Sequence, residues 1–309
     1  MIPLPPSRND MQMPADPVDD ILAFHGVRGP WEALKATGVA NRIYATKDVV
    51  LRVASDNAEA VADARTESVA APVALTAGVL TPRLLAFDDS RALVDRPYSL
   101  WERVHAKTLG IFSPGARLLP DTWRAVGQQL GVLHSRVSDC PDPLGWLDQP
   151  AREVDQMQHL TNLASTCRID ASRAREIEQW IEVLRPAVAV RTASCFLHND
   201  IHEMNLMCAR DGSLRAVIDW GDAGWGDPAL EFAQIPILAV PFVLTGYETQ
   251  APGLLGDAPG ARIVWDKLGL ALEALQEDPR PLEELRRFVH AGEARWRPAL
   301  LGMLSSGLD

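Results

Sequence analysis

A chain of 309 residues with 47% hydrophobic and 23% charged side chains has the composition of an ordinary folded protein and enough length for two lobes. Its formal net charge of −11 argues against nucleic acid as a partner, because phosphate backbones demand basic patches. The longest apolar run, Ile235 to Leu244, is too short to span a bilayer and contains Pro236 and Pro241, so no membrane association is expected.

The N-terminus, MIPLPPSRNDMQMP, has no apolar run preceded by positive charge and so is no secretory signal. Its prolines predict an irregular arm over 1–18. The cysteines, Cys140, Cys167, Cys195 and Cys208, form no C-x-x-C pair, which leaves free thiols in a reducing compartment as the expectation. These readings together predict a soluble cytoplasmic protein.

From there the elements follow in order. Arg42 to Ala45 and Asp48 to Ala54 read as paired strands around a turn at Thr46-Lys47-Asp48. Glu59 to Leu75 reads as a helix despite Pro72. Leu84 to Phe87 and Ala92 to Asp95 then read as a second hairpin around Asp88-Asp89-Ser90. Thr122 to His134 places Val126, Leu130 and Leu133 on one helical face. Further helices are predicted over Arg152–Leu163, Ser172–Leu184, Pro228–Ala239, Arg262–Leu275 and Pro281–Leu301. The sum is an α+β protein: a small strand-rich lobe over 19–101, a connection at 102–106, and a mainly helical lobe over 107–309.

The chemistry concentrates between Phe196 and Glu231, FLHNDIHEMNLMCARDGSLRAVIDWGDAGWGDPALE. A hydroxyl being phosphorylated needs a carboxylate to take or orient its proton, and nucleotide phosphates need Mg²⁺, which prefers oxygen ligands. Asp200 has the chemistry of the base. Asn205, five residues on, offers an amide oxygen to a metal, and Asp219 ends the strand RAVID after the turn dipeptide Asp211-Gly212. A lone H-x-D is weak, but H-N-D-I-H-E-M-N followed by a hairpin and Asp219-Trp220-Gly221 is an ordered set.

That ordered set resembles the catalytic and metal-binding loops of the aminoglycoside phosphotransferase-like kinases, a protein-kinase-like family that includes choline kinases and antibiotic kinases. The resemblance extends over roughly Gly38 to Glu248 and implies a bilobal protein-kinase-like fold with an antiparallel sheet in the small lobe. It also implies roles outside the loop. Arg52 in VVLRVA would reach the nucleotide phosphates, where most relatives use lysine, with Glu67 on the helix as its partner and Glu59 as second choice. Gly38 and Asn41, in G-V-A-N-R-I-Y, resemble the relatives' G-x-x-N-x-x-Y phosphate-covering loop. In RPYSLWERVHAKTLG the Glu102 carbonyl and Val104 amide would meet the purine edge, with Ala106 replacing a family glycine.

Other residues take supporting readings. His134 and His198 read as packed or bracing histidines, and His202 as support for the loop. Asp227, followed by Pro228, reads as a helix N-cap. Glu231 stands where relatives often carry aspartate. Asp222 is either a substrate contact or an exposed loop residue.

The leading expectation is a Mg²⁺-dependent O-phosphotransferase using ATP or GTP, with catalytic Asp200 and metal ligands Asn205 and Asp219. Its partners would be the nucleotide and a small hydroxyl-bearing molecule, in a monomer or homodimer. An antibiotic is the favoured acceptor. The alternatives are a metabolic kinase for choline, homoserine or a sugar-like alcohol, and a non-catalytic kinase-like binding protein.

Overall fold

The computed structural model describes residues 16–34, 41–111, 119–147, 155–188, 194–275 and 278–291, an α+β assembly of antiparallel sheets and helices. Among the described residues, 16–34, 41–61 and 85–103 make one compact unit, and 62–84 with those from 104 to 291 make the other. No helix among the described residues is long and apolar enough to cross a membrane.

In the first unit a five-stranded sheet runs in the order β1-β2-β3-β5-β4, with β1 Glu32–Leu34, β2 Asn41–Ala45, β3 Val49–Ala54, β4 Leu84–Asp88 and β5 Tyr98–Glu102. Period-two alternation sends Leu51, Val53, Tyr98 and Leu100 to one face, where Ile21 and Leu22 of helix α1 (Val18–Phe24) cover them. Each such fully buried aliphatic side chain contributes about 1.5–3 kcal/mol. The buried Asp16 carboxylate fixes the entry to α1, accepting from the Tyr44 hydroxyl at 2.7 Å, Arg42 at 3.1 Å and Arg96 at 2.5 Å.

The hairpin predicted over Leu84–Phe87 and Ala92–Asp95 is half right. Leu84–Asp88 is a strand, but Ala92–Asp95 is a series of bends, and β4 pairs instead with Tyr98–Glu102. The reason is local. Ser90 and Ala92 amides bond to the side chains of Asp88 and Ser90, Arg91 takes φ 60°, and the Arg96 amide turns back onto the Val94 carbonyl at 2.7 Å. Those backbone groups are then spent on turns and not on a ladder.

Helix α2 (Ala58–Ala77) contains Pro72, as predicted, and most of it belongs to the second unit. Helices α3 (Pro120–Arg136), α4 (Gln156–Ser165), α5 (Ala171–Val188), α6 (Val240–Glu248), α7 (Pro259–Ala274) and α8 (Arg280–Ala291) complete the helical set among the described residues. Helices α3 and α6 pack almost backbone to backbone. A side chain at Gly127 would run into the Val243 carbonyl, and one at Gly246 into the Arg124 carbonyl. Residues 152–154 and 292–301, where two predicted helices begin or end, lie outside the described residues.

The helix predicted over Pro228–Ala239 does not form. That segment holds only a 3-10 turn at Leu230–Phe232, and the regular helix starts at Val240. Pro236 has no N–H to give, and the buried Lys267 ammonium of α7 takes the Ala233 and Ile235 carbonyls that a helix would need.

Candidate active site

After the short strand β6 (Lys107–Thr108), strand β7 (Cys195–Leu197) is wholly buried and pairs antiparallel with β10 (Gly224–Gly226). It delivers the chain to His198, whose ring is buried and fully engaged. Nε2 donates to the Ile218 carbonyl at 3.0 Å, Nδ1 accepts the Asp200 amide at 3.3 Å, and the ring lies 4.5 Å from that of Trp220. A ring with both nitrogens engaged braces the loop, as the sequence predicts, and does not shuttle protons.

Asn199 follows at φ 68°, a left-handed conformation that asparagine tolerates, and this turn aims the next side chain, Asp200. Asn205 then locks that carboxylate. Its Nδ2 donates to the Asp200 carbonyl at 2.9 Å and to Asp200 Oδ2 at 2.8 Å. With both amide hydrogens committed, the atom Asn205 has left to offer is an oxygen.

Burial pushes the Asp200 carboxyl up, but the His202 hydrogen bond and charge, the nearby His198 and the Asn205 amide together hold it below the usual carboxylate range. His202 Nε2 sits 3.3 Å from Asp200 Oδ2. The Asp200 hydrogen bond raises His202 against the lowering effect of burial, while the Met204 amide, donating to Nδ1 at 3.2 Å, favours a neutral ring with its proton on Nε2. Either state keeps a donor on the Asp200 carboxylate.

The hairpin of β8 (Leu206–Cys208) and β9 (Leu214–Val217) forms around Asp211-Gly212 as the dipeptide predicts, with Gly212 at φ 84°. Its register brings the end of β9 back to the loop, where the Ile218 amide donates to the Asn205 carbonyl at 2.9 Å. Asp219 lies just past the strand at φ 69°, close enough for its charge to act on His202. Gly221 packs against α2, where an added Cβ would come within 2.8 Å of Asp63 Cβ. The second unit thus gathers Asp200, Asn205 and Asp219 around one loop.

Glu231 is the residue that sequence reasoning underrated. Its buried carboxylate accepts the His198 and Asn199 amides, each at 2.9 Å, and His134 Nε2 at 3.1 Å. His134 in turn meets the Tyr247 hydroxyl at 2.9 Å. Asp227, expected to cap a helix, bonds only the Ala229 amide at 2.9 Å ahead of the short 3-10 turn, because no helix follows, and is also paired with the buried Arg262 at 2.9 Å. The only signal for Glu231 was its place in W-G-D-P-A-L-E, because its partners are main-chain amides that no side-chain motif announces.

Burial alone would raise Glu231, but the His134 hydrogen bond and charge, with the His198 backbone amide, outweigh it and hold the group below its ordinary 4.5. A depressed folded-state value means the stabilisation is present above about pH 4.5 and is lost as pH falls through the folded value. Glu231→Gln should therefore cost about 3 kcal/mol near neutral pH. In thermal melts the gap to the parent should narrow below about pH 4.5, and a gap that stays constant across that range would contradict the assignment.

Arg52 lies on β3 opposite Ser99 and Ile43, on the sheet face turned away from α1, and Asn41 shares that face at the start of β2. Glu102 ends β5, exposed, opposite Val49. Val104 begins the connection, where its carbonyl accepts the Ala106 amide at 3.0 Å in a tight turn that Ala106 accommodates without glycine. Glu67 is buried on α2, in the second unit. Gly38 lies outside the described residues. Asp222 is exposed beside Gly221.

A family model described as the phosphotransferase enzyme family matches residues 35–247, more than two thirds of the chain. No curated protein matches. Among solved structures, a choline/ethanolamine kinase family protein from Mesorhizobium loti is 18% identical with a TM-score of 0.61, the alignment covering 94% of this chain and 98% of that one. The GDP complex of aminoglycoside 2'-phosphotransferase-IIIa is 16% identical with a TM-score of 0.60, covering 87% and 96%. The ternary complex of APH(2")-IIa with streptomycin and ATP is 17% identical with a TM-score of 0.56, covering 87% and 95%. At such identities the likeness is one of fold, and that fold is the one shared by these phosphotransferases.

Proposed function

The chain belongs to the phosphotransferase enzyme family and is a small-molecule kinase, and we propose from this premise that it moves the γ-phosphoryl of ATP or GTP to a hydroxyl of an antibiotic, with Mg²⁺ as cofactor. The observation that carries the mechanism is the Asn205 amide, which donates twice to Asp200 and so presents an oxygen. One carboxylate from Asp219 and one amide oxygen from Asn205 suit Mg²⁺, a hard cation that keeps most of its shell for water and phosphate. Bound there, the ion would neutralise charge developing on the phosphates.

Asp200 is the proposed base. Held ionised by its neighbours, it receives the acceptor hydroxyl and orients it for in-line attack on the γ-phosphorus. The O–H proton passes to Asp200 Oδ as the new P–O bond forms and the bond to the β-phosphate oxygen breaks, leaving nucleoside diphosphate. His198 and Glu231 hold the loop while this happens. The strand-rich residues 19–101 are proposed as the nucleotide-binding lobe, 102–106 as the hinge, and 107–309 as the lobe that carries catalysis and the acceptor. Arg52, Asn41, Gly38, Glu67, Glu102 and Val104 are proposed to hold the nucleotide.

Support for an antibiotic acceptor comes from neighbours solved with streptomycin and with gentamicin. The choline/ethanolamine kinase family protein matches this fold equally well, which keeps a metabolic small alcohol as the second reading. Incubating the protein with ATP or GTP and panels of antibiotics, choline and homoserine, then seeking a gain of one phosphate by mass spectrometry, separates the two. Phosphate on a metabolic alcohol and on no antibiotic would reverse their order.

Arg52→Ala should raise the nucleotide KM about tenfold and lower kcat as well, because bound nucleotide and transition state both carry charge there. Arg52→Lys should retain part of the activity, keeping charge while losing the bidentate fork. Unchanged nucleotide kinetics in Arg52→Ala would make Lys47 the next candidate.

A further inference from the structure

The turn that carries Asp219 is held by contacts that its proposed metal role does not use. Asp219 itself sits in the left-handed region at φ 69°, a conformation that needs support from its surroundings. Trp220, next in the chain, is 1% exposed and its ring lies 4.5 Å from His198. Its indole Nε1 donates to Thr81 Oγ1 at 3.0 Å, with a longer second arm to the Val217 carbonyl at 3.4 Å.

Thr81 is buried in the stretch that follows α2, and that stretch is itself tied down. The Val217 amide, at the end of β9, donates to the Leu80 carbonyl at 2.7 Å, and the Leu80 amide donates to Gln129 Oε1 of α3 at 2.7 Å. A strap at Leu80-Thr81 therefore grips the Asp219 segment at a main-chain point and a side-chain point, one on each side of Asp219. Phenylalanine at the indole's position would fill much of the space but has no N–H to give.

We infer that Trp220 and Thr81 are a positioning pair, whose hydrogen bond holds the Asp219 carboxylate in its metal-binding orientation and couples it, through the Trp220–His198 contact, to the loop that bears Asp200. Both side chains are buried. This rests on the reading of Asp219 as a metal ligand. Without the bond, the indole loses its short partner, the Asp219 turn samples other conformations, and the ligand is in place for a smaller fraction of the time.

The test uses binding without turnover. Calorimetric titration of the full chain with ADP, in the presence and absence of Mn²⁺, isolates the metal-dependent part of nucleotide affinity. Thr81→Val, which keeps shape and removes the acceptor, should weaken that part about fivefold, the size expected for one hydrogen bond. Metal-free ADP binding should be unchanged, and Thr81→Ser should behave as the parent. Trp220→Phe should show a similar loss, and the double variant should be no worse than the more affected single one.

Hydrogen exchange supplies a second readout, because the Ala223 amide donates to the Trp220 carbonyl at 3.2 Å and should exchange faster in Thr81→Val. Should Trp220→Phe fail to fold, Thr81→Val with this readout decides alone. Additive effects, equal loss with and without Mn²⁺, or no change in either readout would overturn the pairing. Asp219→Asn runs alongside. If it leaves the Mn²⁺ dependence intact, the metal reading itself is wrong, whereas an effect there with Thr81→Val indifferent removes only the positioning pair.

Discussion

Asp200→Asn should leave nucleotide binding close to the parent's and lower phosphoryl transfer by about 10³-fold. The substitution preserves shape, and an amide oxygen can still accept from Asn205 Nδ2, which now bonds the carboxylate at 2.8 Å. What disappears is the negative charge that would receive the hydroxyl proton. The two His198 ring bonds and the Glu231 anchors do not involve the Asp200 carboxylate, so the loop should keep its course. Equilibrium titration of nucleotide, paired with single-turnover transfer once an acceptor is known, separates the two effects. Turnover near the parent's rate would remove Asp200 from the base's role, and a matching loss of nucleotide affinity would point to loop collapse in its place.

The loop proposed to carry catalysis was legible in the sequence because its parts are close along the chain. His198, Asp200 and Asn205 fall in one short segment, and the Asp211-Gly212 turn dictates that the strand bearing Ala216 and Val217 returns beside it. Local spacing there determines spatial proximity. Glu231 was not legible in the same way. It reaches the His198 and Asn199 amides from more than 30 residues downstream, and its partners present no side-chain type to recognise.

The misread elements have the same origin. Ala92–Asp95 has strand-like residues, yet side-chain bonds from Asp88 and Ser90 and the left-handed Arg91 bend it. Pro228–Ala239 has helix-forming alanines and leucine, yet Lys267, from the distant α7, takes its carbonyls. Tertiary partners overrode local preference in both places. The α1 helix was missed because a seven-residue element carries too few turns to show periodicity; its stability comes from Asp16 and from the sheet it covers.

Asp219→Asn should abolish most activity, by about 10³-fold or more, and raise the Mg²⁺ concentration needed for what remains. The choice of asparagine matters. Asp219 sits at φ 69°, which asparagine tolerates and alanine resists, so Asp219→Ala would add backbone strain to the loss of a ligand. Asparagine removes only the charge. Asn205→Ala should be less damaging to metal affinity, since it withdraws a neutral oxygen, yet it also strips the Nδ2 donor from Asp200. Its signature should accordingly be mixed: a modest rise in Mg²⁺ requirement together with a fall in kcat that saturating Mg²⁺ does not restore. Titrating Mg²⁺ against rate in both variants distinguishes them. Rescue of Asn205→Ala to the parent's kcat at high Mg²⁺ would show that its amide serves the metal alone, and equal Mg²⁺ requirements in the two variants would undo the ranking of a charged ligand over a neutral one.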